Sequence, residues 1–235
     1  MFINYILLFA VGMISGLFAF RFKSLISPYI SSLLSFSGAY LISICFLHLL
    51  PDVFQGNESM AGLFILIGFF LQLILDYFSG GIEHGHAHVN KLKIGQFPWL
   101  VLLSLCLHAF LESIPINHVD HGHGFGAYLI GLLIHKGPIA FILASLLIAY
   151  KISNKSIWFG ITLFSIMGPL GLFIGKYIEG INGIFQALMG LSIGIILHLS
   201  TTILFETNEE HKIEWKKVLP MLLGASLGLL TLFTH

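Results

Sequence analysis

Eight apolar runs of bilayer-spanning length, at residues 2–20, 29–50, 61–78, 97–116, 125–150, 157–178, 183–205 and 215–234, occupy most of this chain. Inside lipid a backbone must satisfy its own polar groups, so runs of this kind are read as helices. Only 9% of the 235 residues are charged and 57% are hydrophobic, whereas a soluble domain carries about 25% charged residues. The expected architecture is an all-α, multi-pass integral membrane protein. It is expected to form one transmembrane unit over residues 1–235, with residues 79–96 as a His-containing loop.

The first run has no basic residue before it, since Arg21 and Lys23 follow it. It therefore lacks the positive n-region of a cleavable signal and is expected to stay in place. Arg21, Lys23, Lys91, Lys93, Lys151, Lys155, Lys212, Lys216 and Lys217 fall on one side of the eight runs, and Lys176 falls on the other. The positive-inside rule then places both termini outside and the 79–96 loop in the cytoplasm. Cys45 and Cys106 lie within spans and read as apolar packing residues. Acidic and basic residues are equal in number, eleven each, leaving no basic surface for nucleic acid. No phosphate-binding loop, His-Glu-x-x-His motif or nucleophile elbow is present.

Against this background the ionisable residues inside the runs stand out. A charged side chain at the bilayer centre costs at least about 2.5–3.5 kcal/mol, so such groups face the bundle interior, pair, or line a substrate path. His108 and Glu112 are four residues apart in the fourth run, on one helix face and one turn apart. His135 and Lys136 lie at mid-length in the fifth. An imidazole and a carboxylate on one face can reach a common cation, and a second mid-membrane histidine strengthens that reading over simple packing. Pro138 withholds a hydrogen bond from the carbonyl of Ile134 and so leaves an oxygen near His135 for a cation or water.

Further candidates lie at the ends of the spans. Glu83-His84-Gly85-His86-Ala87-His88 alternates imidazoles in the loop on the basic side, a tract suited to a borderline-soft cation. On the opposite side His118, Asp120, His121 and His123 stand at the mouth of the two helices that carry the mid-membrane residues, placed to capture an incoming cation. His48 and Asp52 form another pair one turn apart at the outer end of the second run, and His198 lies inside the seventh. These three are candidate pathway residues, with packing as the alternative.

With these residues in view the chain resembles the ZIP (Zrt/Irt-like) family of divalent metal transporters over nearly its whole length. The motifs that carry the likeness are His108-Ala109-Phe110-Leu111-Glu112, His135-Lys136-Gly137-Pro138 and His48-Leu49-Leu50-Pro51-Asp52. The resemblance implies eight transmembrane helices arranged as inverted three-helix repeats around a central helix pair. It implies a mid-membrane site of His108, Glu112 and His135, alternating access, import into the cytoplasm, and a homodimer in the plasma (inner) membrane. Zinc leads as the transported substrate, with iron and manganese behind it; no organic cofactor is expected.

The departures from the family pattern matter as well. Where many members have an Asn after the fourth-helix His and an acid after the fifth-helix His, this chain has Ala109 and Lys136. Ile139 stands where an acid or His is common, and Ser113 replaces the usual Gly. A single-ion centre is therefore expected, with the Lys136 ammonium in the space of a second cation. Two other classes compete with this reading. An intramembrane zinc hydrolase would use the same residues to activate water, but Glu112 would have to be both ligand and base. A haem-binding cytochrome would use His48, His108, His135 and His198 as axial ligands, but would leave Glu112 and Lys136 unexplained.

Overall fold

A computed structural model of the chain describes residues 2–55, 58–84, 93–119, 126–205 and 215–233. Among these the long elements are all helical: α1 (Phe2–Ile26), α2 (Ile30–Ile44), α3 (Glu58–Ser79), α4 (Trp99–Glu112), α5 (Ala127–Ala149), α6 (Asn154–Ile178), α7 (Asn182–Phe205) and α8 (Trp215–Leu230). Among the described residues seven segments are long and apolar enough to cross a membrane, and the first of them, Phe2–Phe54, runs for 53 residues, interrupted by a kink at Phe22, a short 3-10 turn at Ser27–Tyr29 and a π-helical turn further on. The protein is a multi-pass helical bundle of the membrane.

Side-chain distribution follows from lipid as the outer solvent. On α3, the large residues Leu66, Phe70, Ile74 and Tyr77 are exposed, while Gly68, Gln72, Leu75 and Ser79 on the other face are buried. The apolar stripe thus faces outward and the polar residues face in, the reverse of a soluble amphipathic helix. Enclosure is uneven. The most apolar stretches of the α4 and α5 spans are 72% and 67% buried, against 22% for α3 and 17% for α8. The helices that carry His108 and His135 are therefore the two most enclosed.

Packing sorts the helices into two groups. In one, α1 packs on α5 and α6, and α6 packs on α4; in the other, α2 packs on α8 and α3 on α7. Glycine permits direct backbone approach within each group. A Cβ on Gly194 would fall 2.1 Å from the Ile65 carbonyl oxygen, joining α7 to α3, and one on Gly171 would fall 2.1 Å from the Phe110 carbonyl oxygen, joining α6 to α4. The groups meet chiefly where α2 lies on α5 and α3 on α4. There Gly131 faces the side chains of Tyr40 and Leu41, not backbone.

Two local features position polar groups. After α3, Gly80 and Gly81 adopt φ of 70° and 78°, a conformation that costs glycine little. The chain turns back so that the 3-10 turn Ile82–His84 packs against α5 and α7. At the other end, α2 passes through a π-helical turn at Cys45–Leu49 before the short helix Leu50–Phe54. Pro51 in that helix has no N–H to donate, and the wider turn accommodates its ring.

Candidate metal centre

His108 and Glu112 come from one face of α4, and His135 comes from α5. Each offers one ligand atom, and these atoms all lie within 4.8 Å of one another. The side chains are 0%, 1% and 0% exposed, so bulk water does not compete for them. His108 Nε2 and Glu112 Oε2 are 3.1 Å apart, and the two imidazole rings meet edge to face at 6.0 Å between centroids. A tetrahedral zinc ion with N and O ligands holds adjacent donor atoms about 3.3 Å apart, so the His108–Glu112 gap already fits one ion.

The opposite edges of both rings are tied down. His108 Nδ1 lies 3.1 Å from Gln72 Oε1 on α3. The oxygen can only accept, so Nδ1 carries the proton and Nε2 presents a lone pair. His135 Nδ1 lies 3.3 Å from Ser37 Oγ on α2. That hydroxyl donates to the Leu34 carbonyl at 3.0 Å, so its oxygen accepts from Nδ1–H and His135 Nε2 is likewise free for a cation. Neither Nε2 atom nor Glu112 Oε2 has a hydrogen-bond partner within the described residues. The helix carbonyls beside Glu112 are also held: Tyr128 donates to the Glu112 carbonyl at 2.5 Å and Ser192 to that of Leu111 at 2.6 Å.

Lys136 is fully buried, with its ammonium against α6. Its Nζ lies 4.9 Å from the Phe164 ring centroid, beside Gly168, where an added Cβ would come within 2.6 Å of it. It has no hydrogen-bond partner among the described residues.

A second polar group lies at the C-terminal end of α3. His84 Nε2 is 2.9 Å from Asp76 Oδ1, and Ser79 donates to Glu83. The His84 ring is 6.4 Å from that of His198, which in turn packs edge to face on Phe69 at 4.9 Å. The structure thus joins His84 and His198, which the sequence places in separate elements. His86 and His88 lie outside the described residues.

The candidates at the opposite ends of the spans have different neighbours. His48 Nε2 is 2.8 Å from Thr231 Oγ1, whose hydroxyl donates to the Gly228 carbonyl, and Asp52 accepts from Gln55 at 3.4 Å. His118 pairs with Glu179 at 3.0 Å, and Asn117 donates to the same carboxylate at 2.8 Å. Asp120, His121 and His123 lie outside the described residues.

Four partners of the candidate histidines are not among the candidates the sequence offers: Ser37, Gln72, Asp76 and Glu179. Gln72 and Asp76 are one turn apart inside an apolar run, the same signal that marked His108 and Glu112.

The ZIP zinc transporter family model matches residues 82–232, well over half of the chain and inclusive of α4 and α5. Zinc transporter ZIP1 of Danio rerio is 24% identical over 216 residues, covering 70% of this chain and 72% of the relative. Zinc transporter ZIP2 of Homo sapiens is 29% identical over 124 residues, covering 50% of this chain and 40% of the relative. A buried His/Glu cluster on the two central helices and a family match spanning both of them lead to one conclusion: this chain belongs to the ZIP zinc transporter family.

Proposed function

We propose that the protein carries divalent metal cations, zinc ahead of iron and manganese, into the cytoplasm through a site made by His108, Glu112 and His135. The observation that carries this reading is the convergence of three ligand atoms within 4.8 Å at a fully buried position. Two nitrogens and one carboxylate oxygen leave a fourth position for water. An open site of this kind binds a cation yet lets it leave, as transport requires. The family match places the chain among transporters rather than hydrolases.

Alternating access follows from the two helix groups. His108, Glu112 and His135 all belong to the α1–α4–α5–α6 group, and the site faces the other group. Movement of one group against the other would expose the ion to each side in turn. The 53-residue segment Phe2–Phe54 would be about 80 Å long if it ran straight, against a hydrocarbon core of about 30 Å. It is read as two spans broken at Ser27–Tyr29, which makes eight. Inverted repeats are supported by the contact pattern: α1 packs on α5 as α6 packs on α4, and α2 packs on α8 as α7 packs on α3.

In this reading His48, Asp52 and the His118–Glu179 pair lie on the outer approach, with Asp120, His121 and His123. Asp76, Glu83, His84 and His198 receive the ion on the cytoplasmic side, with His86 and His88 beyond them in the 79–96 loop. Lys136 supplies a fixed positive charge in place of a second metal. Both termini are outside, and the chain works in the plasma (inner) membrane as a homodimer, for which the apolar outer faces of α3 and α8 offer surface. Uptake of a panel of divalent ions into proteoliposomes tests the reading. Zinc accumulation above protein-free vesicles is expected, and equal fluxes with and without protein for every ion would refute it.

A further inference from the structure

The ligand histidines and the groups that orient them belong to different halves of the molecule. His108 and His135 sit in the α1–α4–α5–α6 group, whereas Gln72 on α3 and Ser37 on α2 sit in the α2–α3–α7–α8 group. Both Nδ1 contacts, at 3.1 and 3.3 Å, therefore cross the boundary between the groups. Gln72 and Ser37 are each 0% exposed, so no bulk water waits to replace them. Within each group, by contrast, glycines bring helices into backbone contact that cannot slide without losing it.

We propose that Gln72 and Ser37 are positioning residues that form a conformational latch: they hold the two imidazoles ready for metal only while the helix groups are docked as here. This inference rests on the alternating-access reading above. Each accepting oxygen fixes the proton on Nδ1 and aims the Nε2 lone pair at the centre, and such outer partners change metal affinity by about 10–100-fold. When the groups shift, both bonds break together. The rings are then free to turn or change tautomer, and the ion is held less tightly. Gln72 Nε2 has no hydrogen-bond partner among the described residues, so none of them opposes rotation of the amide through a second bond. Tight binding in one state and weak binding in the other convert a movement of helices into capture and release.

The test uses the purified full-length chain with zinc as the probe. Equilibrium zinc affinity is measured for wild type, His108→Ala, Gln72→Leu, Gln72→Glu, Ser37→Ala and Ser37→Thr, and KM and maximal rate follow in proteoliposomes. The latch predicts that Gln72→Leu and Ser37→Ala weaken binding by about 10–100-fold and raise KM while the maximal rate is kept or increased. Gln72→Glu and Ser37→Thr, which keep an accepting oxygen, stay within a few-fold of wild type. The two positions lie on different helices, so a folding failure at one leaves the other decisive. Binding lost in His108→Ala but intact in both Gln72→Leu and Ser37→Ala overturns the latch alone, as does a lower maximal rate at unchanged KM. Binding that survives His108→Ala overturns the metal-centre reading and the latch with it.

Discussion

His108 Nε2 and Glu112 Oε2 face each other across 3.1 Å in the buried interior of the bundle, and Gln72 on the far edge of the imidazole leaves that nitrogen with a lone pair. Two electron-rich atoms at this separation call for a cation between them. With His135 Nε2 also turned inward and without a hydrogen-bond partner among the described residues, the centre is set up for a metal ion before one arrives.

Zinc bound by the purified protein should therefore show only nitrogen and oxygen neighbours by X-ray absorption, at about 2.0–2.1 Å, with no sulfur shell at about 2.3 Å. Cys45 and Cys106 are both buried and lie outside the cluster of ligand atoms. A sulfur shell would mean that the ion sits elsewhere.

The Lys136 ammonium is the charge that the family pattern does not anticipate. If it replaces a second ion, Lys136→Glu should raise bound metal from about one to about two per chain, because a carboxylate would attract a second cation where the ammonium repels it. Lys136→Met should leave the count at one. Metal analysis of the desalted protein measures both, and an unchanged count in Lys136→Glu would remove the role given to this residue.

Asp76 and His84, paired at 2.9 Å at the C-terminal end of α3, should govern release rather than capture if that end faces the cytoplasm as proposed. Asp76→Asn and His84→Ala are expected to lower turnover several-fold in proteoliposomes while equilibrium zinc binding at the central site is retained. Loss of central binding in either variant would show that the two clusters act as one site.

Helix packing gives a separate expectation. Gly171→Ala places a Cβ against the Phe110 carbonyl on α4 and should cost about 1–3 kcal/mol of stability. Gly62→Ala, whose Cβ would meet nothing within 4 Å, should be neutral or stabilising by up to about 1 kcal/mol. Thermal unfolding in detergent distinguishes the two.

Much of this organisation was legible in the sequence because lipid enforces simple rules. Spanning runs had to be helical, and ionisable groups within them had to face inward, so His108, Glu112, His135 and Lys136 marked themselves. The helix spacing that pairs His108 with Glu112 is local, and it survives folding unchanged. What could not be read was which helices meet. The Gln72 and Ser37 contacts span 36 and 98 residues, and no periodicity within a span reports them. The joining of His84 with His198 likewise depends on the turn made by Gly80 and Gly81 after α3. Lys136 was legible as a buried charge, but its direction toward Phe164 follows only from the way α6 packs on α5.

Zinc uptake by proteoliposomes carrying His108→Ala, Glu112→Ala or His135→Ala, compared with wild type at equal reconstituted protein, tests the central claim most directly. Removing one ligand from a three-ligand site forfeits more affinity than losing an outer partner, which itself costs about 10–100-fold. Deleting a polar side chain from a bilayer core does not hinder insertion. Each variant is expected to insert normally and lose most of its uptake; wild-type rates in any two of them would refute the assignment of the site.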